Sequence, residues 1–432
     1  MKICIFEDST VSNLSPVNHL RHNSDLICGA LPLIDKIKIF LGSRYSISLH
    51  CRKYLENLCR ELHPSLEINK LSNDEYLFLN SNVLYTQKFI DGLLLTFDEF
   101  SNTAILKGST IIALRLSRSK IPQLRKKIES RNEDNLISLK DLSILKIKSV
   151  QAEELDNDES DELKVLNYPS DLILYHEEQI HKDLGYLLKK HGNNKRLNVP
   201  AELINRSKIH ISQNCVISRN SVLDASQGAI FIGEHTIIEP FCYIKGPAYI
   251  GEHTTVRSGS KLYGPLRIGD HCKVSGEIIS SIIHSYVNKQ HLGFLGHSYL
   301  CEWVNLGAGT STSNLKNNYS EIIIKRNNKE LHTGSIFLGS IIGDHTKTGI
   351  NTMLNTGTYI GISSNLYGGG FHPKEVHSYS WGDASGKTVL YDIEKALKTA
   401  KTSMRRRNIN MAKSYEALMR YHFKNIKNRK SF

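Results

Sequence analysis

One histidine stands where acyl-transfer chemistry could be done. His291 lies in the run Asn288-Lys289-Gln290-His291-Leu292-Gly293-Phe294-Leu295-Gly296, and close behind it comes Asn305-Leu306-Gly307-Ala308-Gly309-Thr310-Ser311-Thr312-Ser313-Asn314-Leu315-Lys316. The first run breaks a regular repeat, and a broken repeat commonly marks a loop put to use. In the second, small residues would let an extended ligand lie against the backbone. Its amides offer neutral donors and acceptors to a sugar or a pantetheine arm. An imidazole beside such a groove suits acyl transfer to an amine, because the acceptor loses a proton as it attacks a thioester and His titrates near working pH. Backbone N–H groups would then hold the oxyanion. Two other readings compete. The chain has 19 histidines, and a loop His is usually just solvated. His284, His291 and His297 also fall in one region, and three imidazoles can hold zinc.

A six-residue beat would position these groups. Ile232, Ile238, Ile244, Ile250, Val256 and Leu262 stand at intervals of six, Ile268 and Val274 extend the series, and Ile342, Leu354, Ile360 and Leu366 resume it. Neither a helix nor a flat strand has that period, whereas a hexapeptide repeat of stacked coils does. The expectation is a parallel β-helix over 206–370, starting softly near Ile211, Val216 and Val222 and lapsing between about Ser280 and Asn314. Upstream, short apolar strands (2–6, 45–50, 76–79 and two within 103–116) alternate with helical stretches (52–62 and 89–100). That pattern predicts an α/β head over 1–150 with a largely parallel sheet. Between them, 151–205 holds an acidic stretch at 153–162 and a helical connector through 180–190. Residues 371–432 form an extension with a basic tail, helical from about Leu390.

Composition excludes several classes. Acid appears too early for a signal peptide, and no apolar run approaches the roughly 18 residues that span a bilayer. The eight cysteines contain no C-x-x-C pair, so neither a disulfide framework nor a structural zinc site is indicated, and a reducing cytoplasm is the natural setting. The formal charge of +12 is concentrated from Gly386 onward, where 13 Lys and Arg face 3 Asp and Glu. Basicity therefore belongs to the tail. It reads as a solvated helix, as a site for a phosphorylated ligand such as coenzyme A, or as a contact for nucleic acid or anionic membrane. The last lacks aromatic–basic interleaving.

The strings GEIISSIIHSYVNKQHLGFLGHSYL, EWVNLGAGTSTSNLKNNY, IIGDHTKTGINTMLNTGTYIG and YGGGFHPKEVHSYSWG carry a resemblance. The chain resembles the bifunctional enzymes that make UDP-N-acetylglucosamine: glucosamine-1-phosphate N-acetyltransferases fused to a uridylyltransferase, and within them a variant branch labelled as sugar nucleotidyltransferases. The likeness is strong over 246–385 and weak over 1–150. It implies a left-handed β-helix that trimerises, with acetyl-CoA bound between subunits, in a cytoplasmic enzyme supplying cell-envelope sugars. Carried over, His291 falls on the catalytic base, Asn305 and Asn314 on sugar- and coenzyme-side polar positions, and Ala308 on a backbone contact for acetyl-CoA. Lys289 could meet the sugar phosphate, an inference from its charge. Phe294, His297 and Ile350 depart from the family's pattern, which loosens the acceptor's identity.

The head lacks the G-x-G-T-R loop of nucleotidyltransferases. Resemblance to the variant branch makes Arg21, Gly29 and Lys36 phosphate-side residues. Where a metal-binding Asp is expected, Asn80-Ser81-Asn82 offers amides, so Mg²⁺, needed only for an active head, would depend on Glu7 and Asp8. Two alternatives stay open: a sugar-1-phosphate nucleotidyltransferase with a regulatory β-helix, and a non-catalytic trimeric scaffold with a basic tail.

Overall fold

The computed structural model describes residues 1–95, 101–131, 135–152, 163–192, 199–326 and 329–428. The acidic stretch at 153–162 lies outside them. The chain forms two compact units: residues 1–26, 32–168 and 413–421 make one, and residues 27–31, 169–412 and 422–432 the other. The helical connector thus folds with the β-helix, and part of the basic tail folds with the head.

The head is a seven-stranded sheet. In spatial order its strands are Glu67–Ile68, Ile47–His50, Lys2–Phe6, Tyr76–Asn80, Thr110–Leu116, Thr103–Lys107 and Lys148–Gln151. The first four run parallel, as expected, and Thr110–Leu116 is antiparallel to both its neighbours. Tyr76–Asn80 is buried along its whole length, as a strand covered on both faces must be. Ile121, Leu124 and Ile128 of the helix Ile121–Glu129 pack on Cys4, Phe6, Tyr76 and Phe78. The expected helix over 52–62 opens with a 3-10 turn, Lys53–Leu55, before Glu56–Leu62. Because Lys2–Phe6 is flanked by strands reached in opposite directions, its carboxyl end is the switch point where open α/β sheets receive ligands.

The second unit is a left-handed β-helix of two- and three-residue strands in three parallel sheets. Each coil points one residue inward from each sheet. Ile211, Ile232, Ile250, Ile268, Ile283, Leu300, Ile342, Ile360 and Val376 form one such column, all 6% exposed or less. Two starting positions differ from the sequence reading by one residue. Val216 is 55% exposed and Val222 half-buried, while Ile217 and Leu223 point inward, since the side-chain period of two flips a slipped register to the other face. The lapse expected between 280 and 314 also differs. Ile283, Leu295, Leu300 and Leu306 keep the core continuous there; the coils merely shorten, with Ile278 and Ile283 following Val274. The real interruption is later, an antiparallel hairpin of Ile323–Arg326 and Lys329–His332 between Thr312 and Ile342. The coils continue past Leu366 to Val376, which pairs with Ile360.

Four of the histidines are explained by one corner of the coil. His235, His253, His271, Tyr286, Trp303 and His345 all have φ between 53° and 64°. Their rings form a continuous stack, with centroids 4.8 Å apart from His235 to His253 and again from His253 to His271. Stacking offsets the steric cost of the left-handed backbone at each rung. The helix His176–His191 carries acid in its first turn and base in its last, matching its dipole, and lays Ile180, Leu184 and Leu187 against Ala30 and Phe231. The tail forms two helices, Ile393–Arg405 and Lys413–Asn428; the first buries Ala396, Leu397, Ala400 and Met404, so it is a packed helix rather than a wholly solvated one.

Candidate active site

Residues 288–316 occupy two adjacent coils. Asn288 and Asn305 are bridged, and Asn288 Nδ2 donates to Asn305 Oδ1 at 2.6 Å. Gly309 N donates to Leu292 O at 3.0 Å, which sets the His291 loop directly beside the Gly307–Ala308–Gly309 turn. His291 and Leu292 are exposed at this corner, Leu292 at 72%. Phe294 N donates to Ser311 Oγ and Gly296 N to Thr312 Oγ1, tying the rest of the first coil to the second.

The expected shelf of small residues has a different cause. A Cβ on Gly307 would lie 2.4 Å from Gly349 O, and one on Gly309 would lie 2.0 Å from Asn351 Oδ1. Backbone of the following coil leaves no room for a side chain at Gly307, whereas Gly309 meets only a side-chain end and suits its φ of 73°. Ala308 between them is half-buried, its carbonyl taken by Asn351 N at 2.7 Å.

Asn314 is half-buried, and its Nδ2 lies 2.8 Å from His297 Nδ1. The amide is the donor here, which places the proton of a neutral ring on Nε2. Burial draws His297 down to about 4, so the ring is neutral at working pH, and it stacks on Phe337 with centroids 4.7 Å apart. His284 is buried with Nε2 2.7 Å from the Tyr299 hydroxyl. Of the three histidines of the zinc alternative, His284 and His297 are thus engaged with separate partners, and no group of three metal-ligating side chains is found among the described residues.

Lys289 does not stand at the surface. It is 2% exposed, points into the coil, and its ammonium donates to His291 O at 2.8 Å. Burial alone lowers it from 10.5 to about 8. Geometry of this kind leaves it unable to reach a sugar phosphate outside the coil.

Of the expected phosphate-side residues, Arg21 and Lys36 belong to the first unit and Gly29 to the second. Arg21 is 5% exposed, donates to Val17 O at 2.6 Å and gives its own carbonyl to Arg52. Lys36 is buried in the helix Leu33–Leu41. Gly29 belongs to the second unit, where its N–H donates to His176 Nδ1 at 3.2 Å and Asp183 fills the space a Cβ would need.

The carboxylates at the switch point are likewise committed. Glu7 is fully buried in a two-pronged pair with Arg52, both contacts at 3.0 Å, and also accepts from Asn23 N. Arg52 and the other donors around Glu7 outweigh its burial and hold its carboxyl below the usual range. Asp8 accepts from Thr10 and from Asn80 Nδ2, while burial raises it. Amides fill the remainder: Asn82 N donates to Asn80 Oδ1, and Asn23 Nδ2 to Asn82 Oδ1. Mg²⁺ takes one or two carboxylates besides water and phosphate oxygens; with Glu7 held by Arg52, Asp8 is the carboxylate left toward it at this strand end. Beyond the carboxyl end of Ile47–His50 lies a cleft of about 370 Å³ lined by His50, Lys53, Asn69, Lys70, Arg125 and Arg131 among others. Glu56 and Glu129 line it as well, and the sequence did not reveal this charged cleft because its residues come from three separate stretches, 50–56, 69–71 and 125–135.

Residues 3–191 match the sequence model of a family described as sugar nucleotidyl transferase, and residues 229–264 match that of the bacterial transferase hexapeptide. The first match spans the head and the helices that follow it, and the second lies within the β-helix. It is similar to a bifunctional sugar-1-phosphate nucleotidylyltransferase/acetyltransferase from Sulfurisphaera tokodaii, 34% identical over 102 residues that cover 24% of this chain and 25% of that one. It is also similar to the bifunctional protein GlmU of Methanococcus aeolicus, 33% identical over 90 residues covering 21% and 22% of the two chains. GlmU of Synechococcus elongatus is 25% identical over 201 residues, covering 43% and 37%. The chain spans a quarter or less of the length of the first two relatives. No helix among the described residues is long and apolar enough to cross a membrane.

Proposed function

We propose that the β-helix transfers an acetyl group from acetyl-CoA to the amine of an amino-sugar 1-phosphate, glucosamine-1-phosphate being the first acceptor to test. The observation that carries this reading is His291, held out on a fixed loop directly beside the Gly307–Gly309 turn of the next coil. In the transfer, the amine nitrogen attacks the thioester carbonyl, a C–N bond forms and the C–S bond breaks. His291 takes the proton that the nitrogen sheds and passes it to the departing thiolate. Asn305 and Asn314 supply amides toward sugar and coenzyme, and Ala308 a backbone contact for acetyl-CoA. A homotrimer would complete the coenzyme site. The Sulfurisphaera tokodaii relative, described as a nucleotidylyltransferase/acetyltransferase, supports the reaction class.

The test is thiol release from acetyl-CoA with a panel of amino-sugar phosphates. Release that depends on the acceptor and falls roughly 100- to 10,000-fold in His291→Ala agrees with a general base. Release unchanged in that variant contradicts it.

The head supports a second reading, nucleotidyl transfer, on the strength of its family match over 3–191. Asp8 is the carboxylate that its strand ends leave toward Mg²⁺, since Glu7 is paired with Arg52. Pyrophosphate release from UTP and a sugar 1-phosphate tests this directly.

A further inference from the structure

Three consecutive carbonyls pin the loop that carries His291, and the first is pinned differently from the others. Leu292 O accepts from Gly309 N at 3.0 Å and Gly293 O from Glu277 N at 3.3 Å, both backbone bonds between coils. His291 O instead takes the ammonium of Lys289. That ammonium comes from inside the β-helix, at an inward position where the preceding coil has Val274. The neighbouring bridge between Asn288 and Asn305 puts Leu306 at the same place in the next coil. Room for the lysine head is left by Gly276, where a Cβ would lie 3.0 Å from Nζ.

An ammonium between the aliphatic Val274 and Leu306 opposes folding unless it is paired, and here burial is the one influence that shifts it. A Leu or Met would fill the column at lower cost. Packing therefore does not explain the lysine, whereas the carbonyl it holds does. We propose that Lys289 is a positioning residue, whose ammonium fixes the His291 peptide from within the coil and so sets the direction in which the imidazole leaves the surface. The kinetic part rests on the acetyl-transfer reading above; the part concerning the loop does not.

Lys289→Met keeps the length of the side chain and removes the donor. The full-length variant is expected to melt at a higher temperature than the wild type. Its backbone amides over 290–294 should exchange with deuterium faster at neutral pH, and kcat for thiol release should fall roughly 10- to 100-fold, the scale of a small misplacement, with KM values within about two-fold. A variant with wild-type exchange and wild-type kcat would overturn the proposal. So would a variant that melts lower and loses kcat in proportion to its unfolded fraction, since that is plain structural damage. If the wild type releases no thiol, the acetyl-transfer reading falls by itself, and exchange together with melting temperature still decides whether Lys289 holds the loop.

Discussion

Two residues beside the proposed base make its surroundings sensitive to pH in ways that can be signed. Lys289 is lowered by burial from 10.5 to about 8, so between those values the unfolded chain binds a proton that the folded chain does not. Stability then rises with pH across that window by about 3 kcal/mol, and the rise should vanish in Lys289→Met when urea unfolding is followed from pH 7.5 to 10.5. His297 is lowered from 6.5 to about 4 for the same reason. Its contribution is intact above 6.5 and is lost as pH falls toward 4, again by about 3 kcal/mol, so His297→Asn should flatten the acid limb of the same profile. The sequence did hold the clue to Lys289, which stands six residues from both Ile283 and Leu295 and so on the inward beat. Charge suggested a surface phosphate contact, but the periodicity was the better guide. His291 was singled out by resemblance, and its exposed position is one that a periodic pattern alone does not supply.

At the scale of elements, coils and their turns set the geometry, and glycines test it. Gly293 has φ of 129°, and a Cβ there would lie 2.1 Å from Thr310 O. Gly293→Ala should destabilise by about 2–4 kcal/mol in thermal unfolding, whereas Gly42→Ala, at φ of 62° with open space around it, should lose about 1 kcal/mol. In the head, Arg52→Met strips Glu7 of its charge partner and should cost about 3–5 kcal/mol, measured by the same unfolding. Regular elements were the most readable. Eight aliphatic residues from Ile232 to Val274 all point inward, because one buried side chain per six is a strong constraint on sequence. The shortened coils after Val274 broke the count without breaking the core, and for that reason they looked like a gap. The slip by one at Val216 and Val222 arose because Val216 and Ile217 are both aliphatic and adjacent, and only burial distinguishes them.

Across the whole molecule, the two compact units differ in how far their residues declare a chemistry. The β-helix sets a histidine, amides and a close-packed turn on neighbouring coils. The head keeps the open α/β sheet and its switch point, but commits Glu7 to Arg52 and Asp8 to Thr10 and Asn80. Residues gathered from distant segments, such as those of the 370 Å³ cleft, were hidden from any local reading of the chain. The central claim is that His291 serves as the base for acetylating an amine. Mass spectrometry of the sugar product, from wild type and His291→Ala supplied with acetyl-CoA and glucosamine-1-phosphate, tests it most directly. An N-acetylated sugar phosphate is expected from the wild type, formed at least roughly 100-fold more slowly by the variant. Equal rates of N-acetylation by the two proteins, or no acetylated product from any amino-sugar phosphate, would contradict it.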